Sequence, residues 1–87
     1  MEPEPVRLIP RRELQARIGI RSPNTIREHI ARGVLPKPVR LSAGPTTTLV
    51  WPDSEIDAVV HARVAGRSED QIRELVSAME AQRQAAV

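Results

Sequence analysis

The sequence contains no cysteine, phenylalanine or tyrosine, and its one aromatic residue is Trp51. Without cysteine, the chain can form neither a disulfide nor a thiolate metal site. With a single aromatic side chain, its core has to be built from leucine, isoleucine, valine and alanine. No run of the sequence approaches the roughly 18 apolar residues that a membrane span needs, and no apolar signal segment begins it. These absences predict a soluble, cytoplasmic protein without a membrane partner.

Motifs for catalysis are missing as well. The two histidines, His29 and His61, lie in separate predicted helices, and no His-x-x-x-His pattern accompanies them. The chain has no phosphate-binding glycine loop and no nucleophile beside an oriented base. At 87 residues it has room for one domain with a modest core. We therefore expect no enzyme activity, no metal, no cofactor and no small-molecule substrate.

Charge is distributed unevenly along the chain. From Arg7 to Arg40, nine basic residues stand against two acidic ones, a balance of +7, whereas residues 41–87 carry four basic and seven acidic residues, a balance of −3. All of the nine except Lys37 are arginine, whose planar fork suits phosphates and guanine edges. This asymmetry predicts a polyanion partner for the basic half. The alternative is a merely solvated basic face.

Two short helices are predicted in the basic half. Pro10 suits the opening of a helix that runs to Ile18, where Gly19 provides a left-handed cap. Ser22 and Pro23 then form a cap and first turn for a second helix, which continues over residues 24–32 until Gly33 ends it. A pair of short helices joined by a tight turn is typical of a helix-turn-helix.

A β-hairpin is predicted next. Prolines within residues 34–38 forbid helix, and the β-rich segments 39–41 and 46–51 flank a turn at residues 42–45. Alternation predicts that Val39 and Leu41 share an apolar face, as do Leu49 and Trp51. We expect Trp51 to pack in the core with its indole N–H bonded to the backbone, and not to stack on a base.

The acidic half predicts two further helices. Asp53 and Ser54 begin the first, which has an apolar stripe of Ile56, Val59, Val60 and Val64 and ends at Gly66. A capping box at residues 68–71 opens the second. Its stripe consists of Ile72, Leu75, Val76 and Met79, after which the pattern fades. Those side chains pack either on the domain's own core or on a second copy in a homodimer.

The order of these elements, with GVLPKPVRL at residues 33–41 and WPDSEID at 51–57, resembles the AlpA family of phage-type regulators. More broadly it resembles the winged-helix domains of excisionases and MerR-like proteins. LIP at 8–10 and TIREHIARG at 25–33 extend the resemblance over about residues 7–64. It implies a mainly α fold with a small β-hairpin, a winged helix-turn-helix that binds double-stranded DNA, and a role in transcription or as a directionality factor for an integrase. The last helix is an addition that many compact members lack.

The resulting organisation is a flexible N-terminus at residues 1–6, a winged helix-turn-helix at 7–66 and a C-terminal helix region at 67–87. On the second helix, about 100° of rotation per residue sets Asn24 and Glu28 opposite the buried Ile26, with Thr25 and Arg27 beside them. This exposed face suits the reading of base edges, with asparagine pairing adenine and arginine pairing guanine. An ordinary solvated surface is the alternative.

Further candidates would contact the DNA backbone. Outside the hairpin, the candidates for contact with the phosphates are Arg11, Arg12, Arg21, Arg32 and Lys37. Within the hairpin, the candidates for contact with DNA are Arg40, Thr46 and Thr47. The alternative is that the basic side chains only keep the protein soluble and that the hairpin only closes the core. The competing functional class is a protein-interaction adaptor that docks on an integrase or on transcription machinery through the C-terminal helix.

Overall fold

The computed structural model describes residues 7–41 and 48–85. These residues form four helices and a small antiparallel sheet with strand order β1-β3-β2. The strands are β1 (Leu8–Pro10), β2 (Val39–Arg40) and β3 (Leu49–Pro52), and the helices are α1 (Arg11–Ile18), α2 (Pro23–Ala31), α3 (Asp53–Val64) and α4 (Glu69–Ala85). The expected mainly helical fold with a small β-hairpin is confirmed at this level. The predicted flexible N-terminus and hairpin turn, with Thr46 and Thr47, lie outside the described residues.

The turn between α1 and α2 follows from local signals in the sequence. Gly19 adopts a left-handed φ of 73°, and its N–H donates to the Gln15 carbonyl at 2.9 Å. Only a residue without Cβ takes this backbone conformation cheaply. Ser22 Oγ then accepts from the Thr25 N–H at 3.3 Å, and Pro23 occupies the first turn of α2. The chain therefore reverses over a few residues and sets the two helices against one core.

Buried aliphatic side chains from every helix, from β1 and from the segment after α2 form one core with Trp51 of β3. Trp51 is 2% exposed, and its indole Nε1 donates a 2.9 Å hydrogen bond to the Pro36 carbonyl. The prediction that this side chain packs internally and bonds the backbone is confirmed. The other buried members of the cluster are Ile9, Leu14, Ile26, Val34, Leu35, Ile56, Val59, Ile72 and Val76.

The predicted apolar face of the hairpin is wrong in part. Leu49 and Leu41 are 41% and 56% exposed, whereas Val50 is only 6% exposed. Strand β3 is the central strand of the sheet, because β1 pairs along its other edge with Ile9 opposite Trp51. Val50 and Trp51 point to opposite faces of β3 and are both buried, so both faces are covered there and burial does not alternate as predicted, while Leu49 at the start of the strand is exposed.

Helix α4 packs on the core of the domain. The expected capping box is present, with Ser68 N–H donating to Gln71 Oε1 at 2.9 Å and Gln71 N–H to Ser68 Oγ at 3.2 Å. Ile72 is fully buried and Val76 is 2% exposed. Of the two packings considered for this stripe, the structure contains the one within the chain. Val64, predicted to be buried in α3, is the last residue of that helix and is instead 83% exposed, so its side chain lies outside the core.

None of the helices in the described ranges is both long enough and apolar enough to cross a lipid bilayer.

Candidate nucleic-acid interface

Arginine side chains surround a groove on the outer side of α1, which we call the basic groove. Its two connected parts share Arg12 and Gln15: one part also includes Arg21, and the other includes Arg11 and Leu49. Gln15 Nε2 donates to the Arg21 carbonyl at 2.6 Å, which fixes the turn beside the helix. Three of the predicted phosphate contacts, Arg11, Arg12 and Arg21, are therefore brought together.

The sheet brings Arg40 to the same side. Arg40 in β2 is the direct partner of Leu49 in β3. Directly opposed residues of antiparallel strands project from the same face of a sheet, and Leu49 lines the basic groove. The exposed Arg40 side chain consequently extends this basic surface from α1 across the hairpin.

Ion pairing distinguishes these arginines from several others in the chain. Arg17 contacts Glu13 and Asp53, Arg32 contacts Glu69, and Arg83 contacts Glu55. Within residues 7–41 and 48–85, no ion pair engages the four arginines of the basic surface, which are Arg11, Arg12, Arg21 and Arg40. Their charge is thus uncompensated by neighbouring carboxylates of the described chain. An anion approaching this side meets four guanidinium groups in solvent.

The exposed face of α2 begins two residues after Arg21. Asn24, Arg27 and Glu28 are exposed, whereas Thr25 is half-buried and its N–H donates to Ser22 Oγ. The guanidinium of Arg27 donates to Asn24 Oδ1 one turn earlier. This contact orders the two side chains on the surface, and it has to rearrange before either can form a bidentate contact with a base.

Two predicted phosphate contacts lie against α4 instead. Arg32 caps the end of α2 and forms an ion pair with Glu69. The hydrogen bond from Arg32 lowers the pKa of Glu69. Lys37 is exposed, while its N–H donates to Glu80 at 2.8 Å and its carbonyl accepts from Arg83. Both residues therefore already interact with side chains of α4, and neither lines the basic groove.

Two features of this surface were missed from the sequence. Gln15 was not singled out, although it follows Arg11 by four residues and Arg12 by three, a spacing that sets all three on one helical face. Arg73 was also missed: its Nε donates to the Arg32 carbonyl at 2.9 Å and so satisfies the end of α2. No local sequence motif predicts a contact between two residues that lie 41 positions apart.

The described residues hold no group of three or more histidine, aspartate or glutamate side chains that could bind a metal ion. Comparisons with protein-family models, with curated proteins and with solved structures find no match for this chain.

Proposed function

We propose that this chain binds double-stranded DNA as a winged helix-turn-helix of the AlpA, excisionase and MerR-like type. In this proposal α1 and α2 form the helix-turn-helix, and the hairpin of β2 and β3 is the wing. The protein acts in the cytoplasm of a prokaryotic or phage-infected cell, as a transcriptional regulator or as a recombination directionality factor. Binding, and not catalysis, is its activity.

The observation that carries the proposal is the clustering of Arg11, Arg12, Arg21 and Arg40 around the basic groove without ion-pair partners in the described chain. Because duplex DNA carries closely spaced phosphates, unpaired arginines on one surface supply the sequence-independent part of its binding. Their guanidinium groups would position the protein on the phosphates without reading sequence.

Base recognition would come from α2. Its exposed Asn24 and Arg27 have the donors and acceptors that read adenine and guanine in the major groove, and Thr25 and Glu28 flank them. We assign Arg32 and Lys37 a smaller part in phosphate binding, because both already interact with α4. Adaptor function through α4 is less favoured, because Ile72 and Val76 of its apolar stripe are buried in the core.

The test is fluorescence anisotropy of a labelled duplex of random sequence, titrated with protein over a series of salt concentrations. Each phosphate contact contributes about 0.9 to the slope of log affinity against log salt. Replacing Arg12 and Arg21 by alanine removes two proposed contacts, so the slope should become shallower by about 1.8. Circular dichroism checks that both proteins remain folded.

A matched control replaces Arg63 and Arg67 by alanine, and both of these arginines are exposed and lie outside the basic groove. This double variant loses the same charge, yet it should keep the slope of the parent chain. Equal losses in the two double variants would show that net charge alone drives binding and would contradict an interface at the basic groove. Absence of binding at low salt would overturn the proposal as a whole.

A further inference from the structure

An apolar cleft lies between α1, α2 and α3. Its volume is about 350 Å³. Its floor consists of residues that are almost completely buried: Val34 is 0% exposed, Leu35 2% and Val59 3%. The walls are formed by Ile18, Ile20 and Val60, which are only partly covered. The cleft is therefore large enough for one or two side chains of a partner, and it would remove them from water.

The rim of the cleft is basic. Arg17, His29 and Arg63 are its polar lining residues, and no carboxylate of the described chain is among them. Arg17 is already compensated by Glu13 and Asp53, whereas Arg63 has no ion pair within the described residues. Burial and the positive charge of Arg63 both lower the pKa of His29. The positive charge of Arg63 therefore favours an anionic group on any molecule that enters the cleft.

Apolar surface also continues outward from the cleft. Val64 lines it and is 83% exposed, the highest exposure among the large apolar side chains of the described residues. A molecule confined to the cleft would leave this side chain in water. A peptide segment that runs across the rim would cover it, and this favours a protein partner over a small ligand.

The cleft and the basic groove have no lining residue in common. At about 100° per residue, Ile18 lies only about 60° around α1 from Gln15, but Arg17 lies about 140–160° from Arg12 and Gln15 of the groove. On α2, His29 likewise lies away from the exposed Asn24. An occupant of the cleft would consequently leave the basic groove open.

We propose that this cleft docks a partner protein through a short acidic segment, in which one or two aliphatic or aromatic side chains are flanked by aspartate or glutamate. The apolar side chains fill the space above Val34 and Val59, and a carboxylate pairs with Arg63. A partner held in this way and a duplex on the basic groove can be bound at the same time. The docking surface is thus formed by α1, α2 and α3, and not by the apolar stripe of α4.

The test begins with selection from a random peptide display library on the immobilised protein, in the absence of DNA. Enriched peptides should combine apolar residues with acidic neighbours. Their affinities are then measured for Arg63→Glu and Val64→Asp, two exposed sites whose substitution leaves the core intact. We expect Arg63→Glu to weaken binding about tenfold or more through like-charge repulsion. Replacing the acidic residues of the peptide by lysine should restore its binding to this variant.

Two controls keep the result specific. Arg67→Glu makes the same charge change outside the cleft, and Leu41→Asp places a charge on an exposed apolar residue of the hairpin. Both should bind the selected peptides within about twofold of the parent protein. The proposal is overturned if no peptide is enriched, if the enriched peptides show no acidic bias, or if Arg67→Glu is impaired as much as Arg63→Glu. Because DNA is absent, these outcomes are independent of duplex binding.

Discussion

Arg83 near the end of α4 donates two hydrogen bonds to Glu55 in the first turn of α3, at 2.9 Å from Nε and 2.5 Å from Nη2. Glu55 is only 8% exposed, and these bonds raise the pKa of Arg83. Arg83 also donates to the Lys37 carbonyl at 2.8 Å. One side chain therefore joins the end of α4 to α3 and to the segment that follows α2.

Replacing Arg83 by methionine should lower the free energy of unfolding by about 2–4 kcal/mol, because it leaves the Glu55 carboxylate buried without its partner. Urea denaturation followed by Trp51 fluorescence measures the loss. Arg67→Met, at an exposed arginine, should cost no more than about 0.5 kcal/mol. Adding Glu55→Leu to Arg83→Met should recover part of the stability, since no charge is then stranded. If the double variant were less stable than Arg83→Met, an unpaired Glu55 would not explain the loss.

Gly33→Ala should be more destabilising than Gly19→Ala. Both glycines have a left-handed φ, 79° and 73°, which costs a residue with Cβ about 1 kcal/mol. At Gly19 a Cβ would meet nothing within 4 Å, but at Gly33 it would lie 2.9 Å from Arg73 Cγ. We expect an additional cost of about 0.5–1 kcal/mol at Gly33, because Arg73 must move away from the Arg32 carbonyl.

Thermal or urea unfolding of the two glycine variants measures this difference. In the background of Arg73→Ala, which removes the crowding side chain, the two substitutions should cost the same. If Gly33→Ala still destabilised the protein more than Gly19→Ala in that background, the difference would come from the backbone and not from Arg73.

Protonation of His29 should destabilise the fold below neutral pH. Burial, then Arg63 and Arg32, lower the pKa of His29 from its ordinary value of about 6.5, and Glu28 and Glu69 oppose them only partly. The unfolded chain therefore binds the proton more readily, so the contribution of His29 to stability is complete above about pH 6.5 and is lost as the pH falls toward the lowered value. Proton NMR of the imidazole gives the midpoint, and unfolding curves give the stability.

Arg63→Gln removes one cause of this shift and should move the midpoint of His29 upward. His29→Gln should reduce the loss of stability between pH 7 and pH 5.5. A midpoint at or above the ordinary value in the parent protein would contradict the environment described for this side chain.

Arg27→Ala should relax DNA specificity if α2 reads bases as proposed. After a preferred duplex has been selected with the parent protein, the variant should lose about 1–3 kcal/mol on that duplex and discriminate less at one position of the site. Arg12→Ala, at a proposed phosphate contact, should weaken preferred and random duplexes by the same factor. Competition anisotropy distinguishes a loss of affinity for the preferred duplex alone from an equal loss for both duplexes. An equal loss in Arg27→Ala would show that Arg27 does not read a base.

The elements of this fold were predictable where the signal is local. Gly19 and Gly33 end the first two helices, and the capping box at Ser68 opens the last, because the backbone conformation and hydrogen bonds at those positions are decided within a few residues. The exposures of Leu49 and Val50 were not predictable in this way. They depend on tertiary packing over both faces of β3, which the local alternation of residues does not reveal.

In the candidate site, too, local sequence predicts some features and tertiary contacts decide the others. Composition predicted a basic half, and helical periodicity predicted its exposed face on α2. Which arginines remain unpaired depends on tertiary contacts, because Arg17 meets Asp53 across 36 positions and Arg32 meets Glu69 across 37. The apolar pattern of the last helix fades after Met79, yet Arg83 holds the end of that helix through polar contacts that show no periodicity in the sequence.

The shared core also affects how the protein is made. Ile9 and Leu14 from the first described elements lie in the same cluster as Ile72 and Val76 of α4. During translation, the ribosome must therefore synthesise the chain past Val76 before the core can close. Until then α1 lacks part of the support that holds its arginines in place, and we expect the nascent chain to have no ordered basic groove.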